Sequence, residues 1–278
     1  MSDIVLSAGV RSNLLQLQQT SNLIDQTQIR LSTGKRVNSA LDNAINFFTA
    51  QGLDNRANDL SGLLDSMSNA INTIQAANNG ITAITKLVQS AQALTSQAKQ
   101  TTDSTTRDSL ASQFDALLTQ IGQLAGDAGF NGVNLLGGDD LTVNFNEDAT
   151  SSTSITGVDY TNANATPLGI ANSVNWSAAN TAAGDANIDA AVADLTAALT
   201  TLRSESQTLG ANLSTVQIRQ DFTKATINTL QTGSSDLTLA DSNEEGANLL
   251  ALQTRQQLST TALSLAAQAD QNVLRLFQ

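Results

Sequence analysis

The chain has 278 residues, with 13 Lys and Arg against 25 Asp and Glu, a formal net charge of −12 and an isoelectric point near 4.2. It contains no Cys and no His, which removes disulfides, thiolate nucleophiles, Ser-His triads and the common imidazole metal sites. An acidic chain with 3% aromatic residues lacks the basic field and stacking surfaces of a nucleic-acid binder, and no segment approaches the roughly 20 apolar residues of a membrane span.

Hydrophobic residues make up 40% of the chain, much of it Ala, and charged residues only 14%; Ser, Thr, Asn and Gln fill the gap. Such a surface suits packing against other protein. Charge is segregated: net 0 over residues 1–60, +1 over 61–100, −8 over 101–160, −6 over 161–250 and +1 over 251–278. This pattern predicts a solvated middle between ends that meet other surfaces. The opening Met1-Ser2-Asp3-Ile4-Val5-Leu6 has no basic stretch, long apolar core or small-residue cleavage site, so no cleaved signal peptide is expected.

In the first segment Val10, Leu17, Ile24 and Leu31 recur every seven residues, with Leu14 between them. Gly34 reads as the stop of that helix, and Asn38, Ser39 and Asp42 as candidate caps of the next. In the second segment Leu60, Met67, Ile74, Ile81 and Val88 recur every seven, with Leu64 and Ile71 at companion positions. Leu110, Phe114, Leu117, Ile121 and Leu124 follow at alternating spacings of four and three. A strict seven-residue repeat specifies helices that wind around one another. The stretch 57–99 alone is ~65 Å long at ~1.5 Å per residue, natural for a rod.

The helical pattern stops near Gly126, and Gly126-Asp127-Ala128-Gly129-Phe130-Asn131-Gly132 reads as a loop. Alternation of Leu141, Val143 and Phe145 with Thr142 and Asn144 predicts a short strand. Residues 155–160 are its expected partner, and 149–154 the connection. Residues 161–187 are rich in Asn, Ala, Thr and Gly and read as hairpins and loops. Asp139-Asp140 and Glu147-Asp148 read as a solvated acidic face rather than a cation site.

The longest repeat runs from Ile188 through Leu195, Leu202, Leu209 and Val216 to Leu230, with Ser206, Gln220 and Thr223 as its polar members. Between 247 and 276, Leu258, Ala262, Leu265, Ala269 and Leu276 share one face of a helix, while Leu252, Ala266 and Val273 lie on another. A helix apolar on two faces needs burial on two sides, either as the central helix of this chain's own bundle or by neighbouring subunits. The fold class expected is mainly α: a long antiparallel helical rod with coiled-coil packing of the N- and C-terminal segments and a small central β-hairpin region.

The run Arg30-Leu31-Ser32-Thr33-Gly34-Lys35-Arg36-Val37-Asn38-Ser39-Ala40-Leu41-Asp42-Asn43-Ala44 resembles the segment that follows the first helix of bacterial flagellins. Phe130-Asn131-Gly132 is similar to that family's F-N-G turn, and Asn272-Val273-Leu274-Arg275-Leu276-Phe277 to its C-terminal ending. The resemblance covers about 1–140 and 188–278. It implies a structural subunit, not an enzyme and without cofactors, that polymerises in thousands of copies into the extracellular flagellar filament for swimming.

On that resemblance, 1–43 and 235–278 form the inner filament core and 44–234 the helical rod, with 137–187 the exposed variable region. It implies export through the flagellar type III apparatus, a cytoplasmic chaperone on 247–278, and contact with the filament cap and hook-junction proteins. It makes Val10, Leu14, Leu17, Ile24, Arg30, Leu31, Gly34, Lys35, Arg36, Asn38 and Asp42 candidate assembly residues, with Phe130, Asn131, Gly132, Leu258, Leu265, Asn272, Val273, Leu276 and Phe277. Thr150, Ser151, Ser152, Thr153 and Ser154 are candidates for O-glycosylation in an exposed loop. The Arg-Glu-Leu core that the vertebrate flagellin receptor reads in many members is absent from Val88-Gln89-Ser90-Ala91-Gln92-Ala93-Leu94-Thr95-Ser96-Gln97, so weak or no activation is expected. The alternatives are a hook–filament junction protein of the same superfamily, which shares the architecture, and a secreted translocator, which needs a long apolar segment this chain lacks.

Overall fold

A computed structural model describes residues 8–178 and 181–276, apart from the side chains of 181, 270 and 273–276. The order is α1 (Ala8–Thr33), α2 (Ala44–Gln100), α3 (Ser104–Asp127), β1 (Leu141–Asn144), β2 (Ser152–Ile155), α4 (Thr181–Thr238) and α5 (Ser242–Leu276). All five predicted helices form, and the small β-region lies between α3 and α4. The chain divides into one compact unit of 1–57 with 228–278, and a second of 58–227. Residues of α2 and α4 contribute to both.

In the second unit the seven-residue row of α2 is buried throughout: Leu60, Met67, Ile74, Ile81 and Val88. Its companion row differs from the expected one. Leu64 and Ile71 are only half-buried, and the fully buried companions are Ala70, Ala77, Ile84 and Ala91, three residues after Met67, Ile74, Ile81 and Val88, with Ala98 continuing the row. Four of those five are Ala, whose small side chains hide from a search for large apolar residues yet allow close helix approach. On α4 the predicted row is buried at Ile188, Leu195, Leu202, Leu209 and Val216. Two of its polar members are satisfied across the seam: Ser206 donates to Asn78 Oδ1 at 2.9 Å, and Gln220 Nε2 to Ser68 Oγ at 2.9 Å. With the Lys99–Asp189 ion pair, these contacts run α2 and α4 antiparallel.

α3 begins at Asp103, whose carboxylate accepts from Thr106 N at 2.7 Å and from the Thr106 hydroxyl at 2.6 Å. Those hydrogen bonds hold the Asp103 carboxyl below its usual range. Its buried row is Leu110, Phe114, Leu118, Ile121 and Ala125. Asn134 closes its other end, with Nδ2 donating to Ala125 O at 2.8 Å and Gly126 O at 3.0 Å.

The β-hairpin forms, but its second strand lies earlier than expected. β1 pairs antiparallel with 152–155, in the register Leu141↔Ile155 and Val143↔Thr153, and 156–160 leave the sheet. Val143 and Ile155 point into the core, and pairing sets the strand even where Ser and Thr give no apolar alternation. Residues 160–176 form a loop layer whose Tyr160, Leu168, Ile170 and Trp176 are buried. Trp176 lies 5.0 Å from the Phe114 ring. α4 begins at Thr181, ahead of the Ile188 expected from its repeat.

Arg107, the one basic residue in the acidic stretch 101–160, is the buried anchor of this layer. Its Nε donates to Thr101 O at 2.7 Å, Nη1 to Trp176 O at 3.3 Å and Nη2 to Asp185 Oδ1 at 2.6 Å. Arg107→Ala leaves two carbonyls without these donors, while the half-exposed Asp185 loses little. It should lower stability by about 2–3 kcal/mol. Urea unfolding followed by the fluorescence of Trp176 measures this, and an unchanged midpoint would contradict the assignment.

Candidate assembly surfaces

α1 and α5 pack antiparallel in the first unit, fixed by an ion pair between Arg30 near the end of α1 and Glu245 in the first turn of α5 (3.2 Å). The Glu245 side chain is largely buried, and its position suits the positive end of the helix dipole. Arg30 Nε is buried without a hydrogen-bond partner. The inward row of α1 is Val10, Leu17, Thr20, Ile24 and Thr27. Thr20 and Thr27 turn their hydroxyls back to Gln16 O and Leu23 O, each at 2.8 Å, so they present methyl groups to the seam without an orphaned donor.

The matching row of α5 is Leu249, Leu252, Gln256, Ser259, Leu263 and Ala266, all half-buried at alternating spacings of three and four. Of the two apolar faces expected on this helix, the one carrying Leu252 and Ala266 is therefore turned inward. The other, with Leu258, Ala262, Leu265 and Ala269, stands about a third of a turn away on helical geometry and is exposed. Leu258 is 67% exposed and Leu265 62%. α1 behaves likewise: Leu14, Leu15, Leu23, Ile29 and Leu31 are exposed, so only Val10, Leu17 and Ile24 of the predicted apolar positions serve the intramolecular seam. Asn272 is exposed; the side chains of Val273 and Leu276, and all of Phe277, lie outside the described residues.

The turn after α1 shows why its residue types are needed. Gly34 has φ +67°, in the left-handed region, directly after the last residue of α1. Lys35 then forms an antiparallel bridge with Leu239. Arg36 N and Val37 N both donate to Thr238 O (2.7 and 3.2 Å), and Ala240 N donates to Gly34 O at 3.0 Å. This short bridge ties the turn to the joint between α4 and α5, with Val37 buried beneath it.

The expected caps of α2 are corrected by the structure. Asn43 is the cap: its Oδ1 accepts from Asn46 N at 3.0 Å. Asp42 instead closes the turn, accepting from Asn38 N and Ser39 N at 3.0 Å each and from the Ser39 hydroxyl at 3.2 Å. The backbone hydrogen bonds from Asn38 and Ser39 hold its carboxyl below the usual range. Asn38 Nδ2 donates to Lys35 O at 3.0 Å. Beyond the turn Leu41, Ile45 and Phe48 are exposed at 98%, 79% and 60%, an apolar set unmarked by the sequence repeat.

In the second unit Phe130-Asn131-Gly132 is a tight turn. Asn131 has φ +50° and Gly132 φ +82°, and Phe130 and Val133 exchange backbone hydrogen bonds at 2.9 and 3.1 Å. Two successive positive φ values are why Asn-Gly stands there. Thr150, Ser152 and Ser154 are exposed and Ser151 and Thr153 half-buried, with three of the five inside β2 rather than in a loop. Among the described residues no His, Cys, Asp and Glu cluster could hold a metal, and no helix is long and apolar enough to cross a membrane.

Residues 8–140 match the model of the bacterial flagellin N-terminal helical region, and 186–277 that of the C-terminal helical region. Flagellin FljM of Caulobacter vibrioides is 31% identical over 281 residues, covering 100% of this chain and 99% of its own length. A flagellin of Brucella melitensis is 28% identical over 292 residues, covering 100% of both chains. The crystal structure of Bacillus cereus flagellin covers 57% of this chain and 88% of its own, with 16% identity and a TM-score of 0.45.

Replacing Gly34 tests the turn. Gly34→Val puts a β-branched residue at positive φ, at a cost of at least about 1–2 kcal/mol. The expected outcome is loss or marked shortening of filaments seen by electron microscopy. Filaments of normal length would show that the bridge to Leu239 tolerates a strained turn.

Proposed function

The chain belongs to the bacterial flagellin family and is a structural subunit of the flagellar filament, and we propose that α1 and α5 are the elements through which it polymerises. In this reading 1–43 and 235–278 form the inner filament core, and 44–234 the surrounding helical rod, with 137–187 facing solvent. The observation that carries it is the doubled apolar character of the terminal helices. They are paired through one row, while Leu14, Leu15, Leu258 and Leu265 remain exposed on others. A neighbouring copy is the partner that repetition supplies, and heterologous contacts that do not close into a ring give an open helical filament.

The turn residues Arg30, Gly34, Lys35, Arg36, Asn38 and Asp42 set how the first unit presents those rows. The same exposed face of α5 is what an export chaperone would cover on 247–278 before transport through the flagellar type III apparatus. Filament cap and hook-junction proteins are the contacts at the ends of the polymer. Thr150, Ser152 and Ser154 have the exposure that O-linked glycans require.

Negative-stain microscopy of purified protein with short filament seeds tests the assembly reading. The wild-type chain should extend seeds into long tubes, and the double variant Leu258→Asp/Leu265→Asp should not, while keeping its helical circular dichroism. Long tubes from the variant would remove α5 from the core. Short rings from the wild-type chain would instead favour a junction protein.

The stretch 88–97 buries Val88, Ala91 and Thr95 and exposes Gln89, Ser90, Ala93, Ser96 and Gln97, none of them charged. The monomer should therefore activate the vertebrate flagellin receptor weakly or not at all. A reporter-cell response at sub-nanomolar monomer would contradict this.

A further inference from the structure

We propose that the outer row of α4 in one subunit packs into an uncharged groove beside α2 of a second copy, a heterologous contact between second units. The proposal rests on the filament reading and extends it to surfaces outside α1 and α5. The first surface is a second repeat on α4. Ser204, Thr208, Ala211, Thr215, Ile218 and Phe222 follow one another at alternating spacings of four and three and are all exposed. They lie roughly half a turn from the buried Leu202, Leu209 and Val216. A coiled-coil spacing turned outward is a seam without its partner. Ile218 and Phe222, 66% and 65% exposed, are its large side chains, and no member of the row is charged.

The second surface is a groove between α2 and the segments 130–133 and 141–144, lined by Leu63, Ser66, Asn69, Ala70, Phe130 and Val143 among other uncharged residues. Ser66 and Asn69 lie on the flank of α2 away from Ser68 and Asn78, which hydrogen-bond to α4. Row and groove therefore face different ways, so joining one to the other leaves a free row at one end and a free groove at the other.

Charge identifies the occupant. The second unit holds 16 acidic and 6 basic residues, net −10, so two copies repel unless their meeting faces are neutral. Both of these faces are neutral, and two exposed large apolar side chains on one meet apolar lining on the other.

The absence of native Cys makes the test direct. Subunits carrying Thr215→Cys and subunits carrying Asn69→Cys, changes that leave Ile218 and Phe222 in place, are copolymerised on wild-type seeds and treated with a short bis-maleimide. The expected result is a covalent dimer in mixed filaments and little in filaments of either variant alone. Mixed filaments without the heterodimer would overturn the proposal, and so would strong cross-linking of Thr215→Cys filaments alone, which would mean that the row meets its own copy. Failure of wild-type protein to extend seeds would overturn the filament reading and this contact with it. Independently, Phe222→Ser should raise the critical concentration for polymerisation roughly tenfold with unchanged circular dichroism; an unchanged critical concentration would also overturn it.

Discussion

The organising constraint is that these helices carry more apolar rows than a single chain covers. Every long helix with a seven-residue repeat has one row satisfied within the molecule. On α1 and α5 that row is thin, built from Val10, Leu17, Ile24, Leu252 and Leu263 with Thr, Ser and Gln between. On α2, α3 and α4 it is dense, with Met67, Phe114, Ile121, Leu195 and Leu202 fully or almost fully buried. The difference separates a unit with a dense apolar core from a unit with a thin one. A soluble monomer keeps such rows exposed only if they are short, interrupted by polar residues or neutral in charge, and the exposed rows here have those properties.

Polar residues inside the seams do a second job. Ser206 and Gln220 interrupt an otherwise apolar row, and each finds a partner on α2. Sliding α4 along α2 by one heptad would keep the apolar contacts but break both hydrogen bonds, leaving seam donors unmatched. Arg30–Glu245 does the same for α1 and α5. Register is thus set by a few polar contacts while apolar area supplies the bulk of cohesion. This division matters in a polymer, where a small error of register in each subunit would be repeated along its length.

Much of this was legible in the sequence, and what escaped has a physical cause. The heptads gave all five helices because large apolar residues mark the inward face. The Ala companion row of α2 escaped because Ala is as common on surfaces as in seams. The second strand escaped because Ser152, Thr153 and Ser154 owe their conformation to pairing with β1 rather than to their own alternation. Asn43, not among the expected caps, takes the place of Asp42 because both side chains carry acceptors suited to a helix start, and only the backbone decides which one reaches the third amide. Arg107 and Asn134 were invisible as anchors: their partners include main-chain carbonyls outside their own element, and no local pattern encodes those. Among candidate assembly residues, the sequence found apolar positions but did not sort inward from outward. Leu14 and Leu258 are exposed where Val10 and Leu252 are not, a difference set by the Arg30–Glu245 register.

The two units illustrate how stability and function divide along one chain. The second unit closes around Trp176 and Phe114, with Arg107 fastening the loop layer by hydrogen bonds to carbonyls. Its buried core is formed by its own residues. The first unit has few large buried side chains; its turn is held by Gly34, a two-residue bridge and the Asp42 carboxylate, each a local and modest contribution. On the proposed reading, burial of Leu258 and Leu265 by another copy adds the apolar term that this unit lacks and couples its order to association. In that reading, the thin seam between α1 and α5 is what leaves their outer rows free to be covered by the polymer.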